Sequence, residues 1–251
     1  MKIYLDNNIF ISLENGSITP SNLEELVGNK IDKIFYSASH IQETLEIKGE
    51  TESKRLERIK KRLNTIEIIT KCNYFYENLD NQVFEQLVKP SKVLETITEV
   101  SFGQSAMKSL INLFSEKQKE EIRKSLNIEP SRINNYSPNE VVEHLNKKIS
   151  QAGQDFTFLG IIETGVSFHP DGKTFGRSNR IAAIFEILDM FGYWRDKSNE
   201  KSNYARLWDS SHTSFATNCD YFMSDDKRTR NKANVVYNIY DVDTKVISSK
   251  G

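Results

Sequence analysis

The sequence predicts an α/β fold with a mostly helical insertion, and three observations predict it. Short apolar runs of strand length sit near both ends of the 251-residue chain, at "KIYL" (Lys2 to Leu5), around Ile34 to Tyr36, and at "DYFMS" (Asp220 to Ser224). Between them the apolar residues fall mainly at helical spacing. The first and last of these runs stop on acids, at Asp6 and at the pair Asp225–Asp226. Asp is a poor strand residue and costly to bury, so acids at strand ends call for an explanation.

The elements follow in order. After Asp6, "NNIFISLEN" turns into a helix that Gly16 stops. "TPSNLEELVGN" has a helix-start signature in Thr19 and Pro20 and a stop in Gly28. "SHIQETLEIKG" reads as a helix with Ile41, Leu45 and Ile47 inward, and "ESKRLERIKKRLNTI" as a charged helix with Leu56, Ile59, Leu63 and Ile66 on one face. "IEIIT" (Ile66 to Thr70) reads as a third strand. From 71 to 204 the segments "NQVFEQLV", "SKVLETITEV", "SAMKSLINLFSEKQKEEIRKSL", "SPNEVVEHLNKKI" and "SNRIAAIFEILDMFGYW" all read as helix, punctuated by Pro90, Pro130, Pro138 and Gly153. "GVSFHPDGKTFGRSN" (165–179) reads as a long loop. The end returns to α/β. "LWDSSHTSFATN" is a helix opened by Asp209, "DKRTRNKA" a turn and short helix, and "NVVYNI" and "TKVISS" further strands. The expected organisation is one domain over 1–251, its core built from 1–70 and 205–251, with the 71–204 insertion packed on the sheet.

Composition sets the broad class. Apolar residues make up 37% and charged residues 27%, and the mean hydropathy is −0.55, as expected of a soluble globular chain. A net charge of −1 supplies no global field toward nucleic acid or membrane, so such attraction must come from local patches. Cys72 and Cys219 match no zinc spacing and read as free thiols in a reducing compartment. "MKIYLDNNIF" has no signal-peptide core and no run reaches membrane-spanning length, so the expected setting is cytoplasmic, with no membrane partner.

In an open α/β sheet, sites form beyond the carboxyl ends of the strands. Asp6, Asp225 and Asp226 fall there, Glu43 lies in the helix after the second strand, and Asp209 precedes the "DYFMS" strand. Carboxylates gathered in one cleft raise each other's pKa, and a divalent cation relieves the repulsion. Oxygen donors without a Cys/His cluster suit Mg²⁺ or Mn²⁺. Lys227, Arg228, Arg230 and Lys232 follow as a run of cations suited to phosphates. Each residue also has a plain structural role open to it. Asp6 and Asp209 suit N-caps, Glu43 a solvated helix acid, and Asp225–Asp226 a turn. His212 suits packing or a supporting hydrogen bond, and His169 a loop. The aromatics of "FEILDMFGYW" suit a core.

Four pieces in order resemble the PIN-domain nucleases. "IYLDNNIF" resembles the first strand with Asp6, and "YSASHIQETLE" the small-hydroxyl turn and helix with Glu43. "DSSHTSFATN" resembles the third acid, Asp209, with Ala216 after it. "CDYFMSDDKR" resembles the strand ending in Ser/Thr-x-Asp, at Ser224, Asp225 and Asp226. The resemblance covers roughly 1–70 and 205–251. It implies a parallel sheet flanked by helices and metal-dependent hydrolysis of RNA or, more rarely, DNA. Asp6, Glu43, Asp209 and Asp226 would be catalytic metal ligands, with Asp225 ligating or orienting. Ser224, Lys227, Arg228, Arg177 and Arg180 are the candidate substrate contacts. The 71–204 insertion would meet RNA, a protein partner such as an antitoxin, or a second subunit in a homodimer. Two other classes compete. A haloacid-dehalogenase-type phosphatase needs Asp-x-Asp after the first strand, and here Asn8 stands at the second position. A nucleic-acid- or protein-binding module would keep the fold without catalysis.

Overall fold

The computed structural model describes residues 1–100, 115–153, 156–168, 172, 175–196 and 200–250. The chain forms two compact units. One comprises Met1–Gly103, Phe215–Lys227 and Asp243–Gly251; the other comprises Gln104–Ser214 and Arg228–Val242.

The first unit holds a six-stranded sheet. Its strands are β1 (Lys2–Leu5), β2 (Lys33–Ser37), β3 (Asn73–Glu77), β4 (Val83–Leu87), β5 (Tyr221–Met223) and β6 (Lys245–Ile247), in the order β4-β3-β2-β1-β5-β6. All neighbours are parallel except β3 and β4. β1 is central and buried on both faces, as parallel strands require. Ile3 and Leu5 join Ile9, Phe10, Ile41, Ile66 and Met223 in one core. Alternation sends Tyr4 to the other face, near Phe75, Phe222 and Phe215. Helices α1 (Asn7–Glu14), α2 (Pro20–Val27), α3 (Ala38–Leu45), α4 (Glu52–Thr70) and α5 (Pro90–Val100) complete this unit. Thr19 and Asn22 cap α2 reciprocally, and Gly28 closes it in the left-handed conformation at φ 66°.

Several segments differ from the sequence reading. Ile66 to Thr70 is not a strand but the last turn of α4. Ile59, Ile66 and Thr70 are buried while Ile68 is 64% exposed, so helical period wins over alternation. Lys71 and Cys72, both at positive φ, then turn the chain directly into β3. "NQVFEQLV" contains β4 rather than a helix, so two strands lie inside the stretch read as helical. Asn78 and Asn81 shape the hairpin turn before it. "NVVYNI" belongs to a helix, α12 (Lys227–Tyr240), whose buried positions Thr229, Lys232, Ala233, Val235, Val236 and Tyr237 fall mainly at helical spacing.

The second unit is helical among its described residues. It contains α6 (Glu116–Ser125), α7 (Pro130–Ile133), α8 (Pro138–Gln151), α9 (Phe158–Phe168), α10 (Arg177–Met190), and most of α11 (Glu200–Ala216) and α12. The supposed loop at 165–179 is shorter, because α9 runs to Phe168 and α10 begins at Arg177. An ion network lies in this interior. Arg206 and Lys232 are only 2% and 1% exposed. Arg206 meets Glu186 at 2.8 Å and Asp189 at 3.5 Å. Lys232 meets Asp189 at 3.4 Å and Asp196 at 3.2 Å. No described helix is long and apolar enough to cross a membrane.

Candidate functional site

The sheet order sets the site. From β1 the chain winds outward to β2 and β3 on one side, while β5 and β6 lie on the other. The switch point therefore falls between β1 and β5, and ligands of open α/β sheets sit at the carboxyl ends beside such a point. Asp6 leaves β1 there, and Ser224, Asp225 and Asp226 leave β5 there.

A hydrogen-bond network joins the two strand ends. The Asp6 amide donates to the Met223 carbonyl at 2.8 Å, continuing the β1–β5 pairing. Asp6 stands at the N-cap position of α1, yet its side chain makes no cap bond. Its Oδ2 instead accepts from the Ser224 hydroxyl and from Asn8 Nδ2. Ser224 Oγ also accepts from Asn8 Nδ2 at 3.2 Å and from the Asp226 amide at 3.2 Å. Asn8 Oδ1 accepts the Asp225 amide at 3.0 Å. Asp6 is only 3% exposed and Ser224 is fully buried, so this geometry is fixed from within. Asn8, two residues after Asp6, bridges both strand ends, and its place beside the strand-end acid is the only local sign of that role.

A buried layer lies behind this edge. The Ser37 amide donates to His40 Nδ1 at 3.0 Å, so that nitrogen carries no proton, and Nε2–H donates to the Leu5 carbonyl at 2.7 Å. The neutral ring thus holds the residue next to Asp6. Tyr4 bonds Ser37 Oγ at 2.6 Å. Burial pushes the Tyr4 phenol well above its ordinary pKa. The Ser37 bond opposes this, and the negative charges of Asp6 and Glu43 add to it. Glu43 itself is half-buried on α3.

The other sequence candidates are placed as follows. Asp225 points its carboxylate at the C-terminal segment, accepting from the Ser248 hydroxyl at 3.0 Å and the Ser249 amide at 2.8 Å. Asp226 is half-buried and Lys227 is exposed at the start of α12. In the second unit, Asp209 lies within α11, well past its first turn, and does not open the helix. His212 is fully buried there. Arg228 pairs with Asp196 at 2.8 Å. Arg180 clamps Glu163 through two bonds of 2.7 and 2.9 Å. Arg177 stacks on the Tyr240 ring at 5.0 Å. His169 lies outside the described residues. An open groove of about 310 Å³, lined by Pro20, Ile31, Ile34, Ile68 and Asn73 among others, sits at the amino ends of β2 and β3, away from the acids.

Among the described residues, no three His, Cys, Asp or Glu side chains are grouped closely enough to hold a metal ion. The switch point does carry hard oxygen donors in Asp6 and Asp226. That set suits Mg²⁺, which keeps several waters and takes one or two carboxylates rather than a full protein cage. No family model matches the chain, nor does any curated protein or solved structure.

Proposed function

We propose that the protein is a Mg²⁺- or Mn²⁺-dependent nuclease of PIN-like type, an endoribonuclease acting in the cytoplasm. One observation carries the reading: Asp6 and Asp226 leave adjacent parallel strands at the switch point, and the Ser224 hydroxyl touches both residues. A bound divalent cation would polarise a phosphodiester and supply hydroxide at neutral pH. Asp6 and Asp226 are the residues to hold it, with Glu43 and Asp209 the further acids that the resemblance implies. Asn8 and Ser224 fix the Asp6 carboxylate through its Oδ2. Buried Ser224 is thereby an orienting group rather than a substrate contact. Exposed Lys227 is suited to a flanking phosphate. RNA rather than DNA is the substrate class that the resemblance implies.

Cleavage of total RNA with Mg²⁺ or Mn²⁺ tests this. Asp6→Asn and, separately, Asp226→Asn should each lower the rate by about 10²–10³. Their melting temperature in EDTA should be unchanged or higher, because like-charge repulsion falls. Lys227→Ala should weaken substrate binding in a salt-dependent way. Cleavage that survives Asp6→Asn or complete chelation overturns the metal-nuclease reading, and RNA binding without any cleavage favours a binding module.

A further inference from the structure

β4 is the outermost strand on its side of the sheet. The Val88 amide donates to the Cys72 carbonyl, and the Asn78 amide to the Gln82 carbonyl, both at 3.0 Å. With the register running from Asn73↔Leu87 to Glu77↔Val83, the even-numbered residues of β4 therefore bond inward to β3. Val83, Glu85 and Leu87 turn their N–H and C=O groups outward. The strand is exposed along its length, with Leu87 79% and Phe84 45% exposed, and Leu79 at the hairpin turn 98% exposed.

Native proteins blunt such an edge with proline, a bulge or edge lysines. β4 has none of these. Its sequence is VFEQL, and it pairs one-to-one with β3 throughout. Its single charge, Glu85, is bridged by Lys2 and Lys33. We propose that β4 pairs antiparallel with β4 of a second copy of this chain, joining the two sheets into one.

The edge is self-complementary. With Glu85 opposite the partner's Glu85, Val83 falls opposite the partner's Leu87, and every outward N–H and C=O finds a mate. The same register sets Lys89, 3.5 Å from Glu67 of its own chain, opposite the partner's Asn81 and one residue from its Asp80 at both ends, so each basic strand exit faces the other copy's hairpin turn. Like charges directly opposite are destabilising, and the paired lysines at each Glu85 neutralise that contact. A two-fold axis through the pair closes the assembly and leaves no further β4 edge open.

Sedimentation of the full chain tests this. A dimer is expected at micromolar concentration. Leu87→Pro removes one outward N–H without touching a bond to β3, and Phe84→Lys places a charge on the edge. Two-fold symmetry loses each contact twice, so either change should weaken dimerisation by about tenfold or more. Circular dichroism should stay that of the parent. If Leu87→Pro perturbs folding, Phe84→Lys at its exposed site carries the test. A parent chain that stays monomeric at roughly 100 µM overturns the proposal. So does a dimer of undiminished strength in Phe84→Lys, which puts the interface elsewhere.

Discussion

The Asp225 carboxylate takes bonds from the Ser248 hydroxyl and from both the amide and the hydroxyl of Ser249, with Lys250 3.5 Å away. Burial pushes this carboxyl up, but the serine bonds and the Lys250 charge outweigh it and hold the group below the usual carboxylate range. A depressed folded pKa adds stability that is fully present above the unfolded value of about 3.9. That contribution is lost as pH falls through the folded value. The parent should therefore be more stable than Asp225→Asn at neutral pH, and the gap should close under strong acid. Urea unfolding across the acid range checks this, and a gap that does not shrink at all as pH falls from neutral into strong acid would refute it. Position after a strand made Asp6, Asp225 and Asp226 legible as a group. It did not reveal that adjacent Asp225 and Asp226 have different surroundings. The bonds of the Asp225 carboxylate come from the C-terminal tail, and those that tie Asn8 to Ser224 and Asp225 span more than two hundred positions. Such contacts leave no local pattern.

Helix α4 shows how far local pattern reaches. Its start was not singled out in the sequence, yet the Thr51 side chain accepts from the Lys54 amide at 3.3 Å. Thr51→Ala should cost about 1 kcal/mol through the lost cap. Lys60→Ala, at an exposed mid-helix position, should cost close to nothing. Denaturant midpoints for the two variants make the comparison. The helix's end was misread because Ile66, Ile68 and Ile69 favour strand by composition, while the buried face continues to Thr70. β4 was misread for the opposite reason. An exposed edge strand need not alternate, and Val83, Phe84, Leu87 and Val88 mimic a helical stripe. β1, β2 and β5 were legible because buried parallel strands are short apolar runs with clear stops.

At the scale of the molecule, the chain passes between its two units four times, so neither is a continuous segment. Within the second unit, Lys232 on α12 answers Asp189 and Asp196, which come from the earlier stretch. Removing one partner from a buried pair strands the other charge. Lys232→Met leaves Asp189 with Arg206 and Asp196 with Arg228, so it should destabilise by less than the about 3–5 kcal/mol of a fully stranded charge. Guanidinium would screen the effect, so urea unfolding at low and high salt is the measurement. The penalty should be nearly salt-independent, since buried pairs escape screening. The pairing of β1 with β5 has a temporal side as well. Lys2 and Asp220, which bond across it, are 218 residues apart. At synthesis rates of about 5–20 residues per second, roughly 10–45 s pass before the second strand exists. Throughout that interval Asp6 is present without Ser224 or Asp226. A ribosome bearing this nascent chain carries only half of the acid pair until the strand 218 residues downstream has been made.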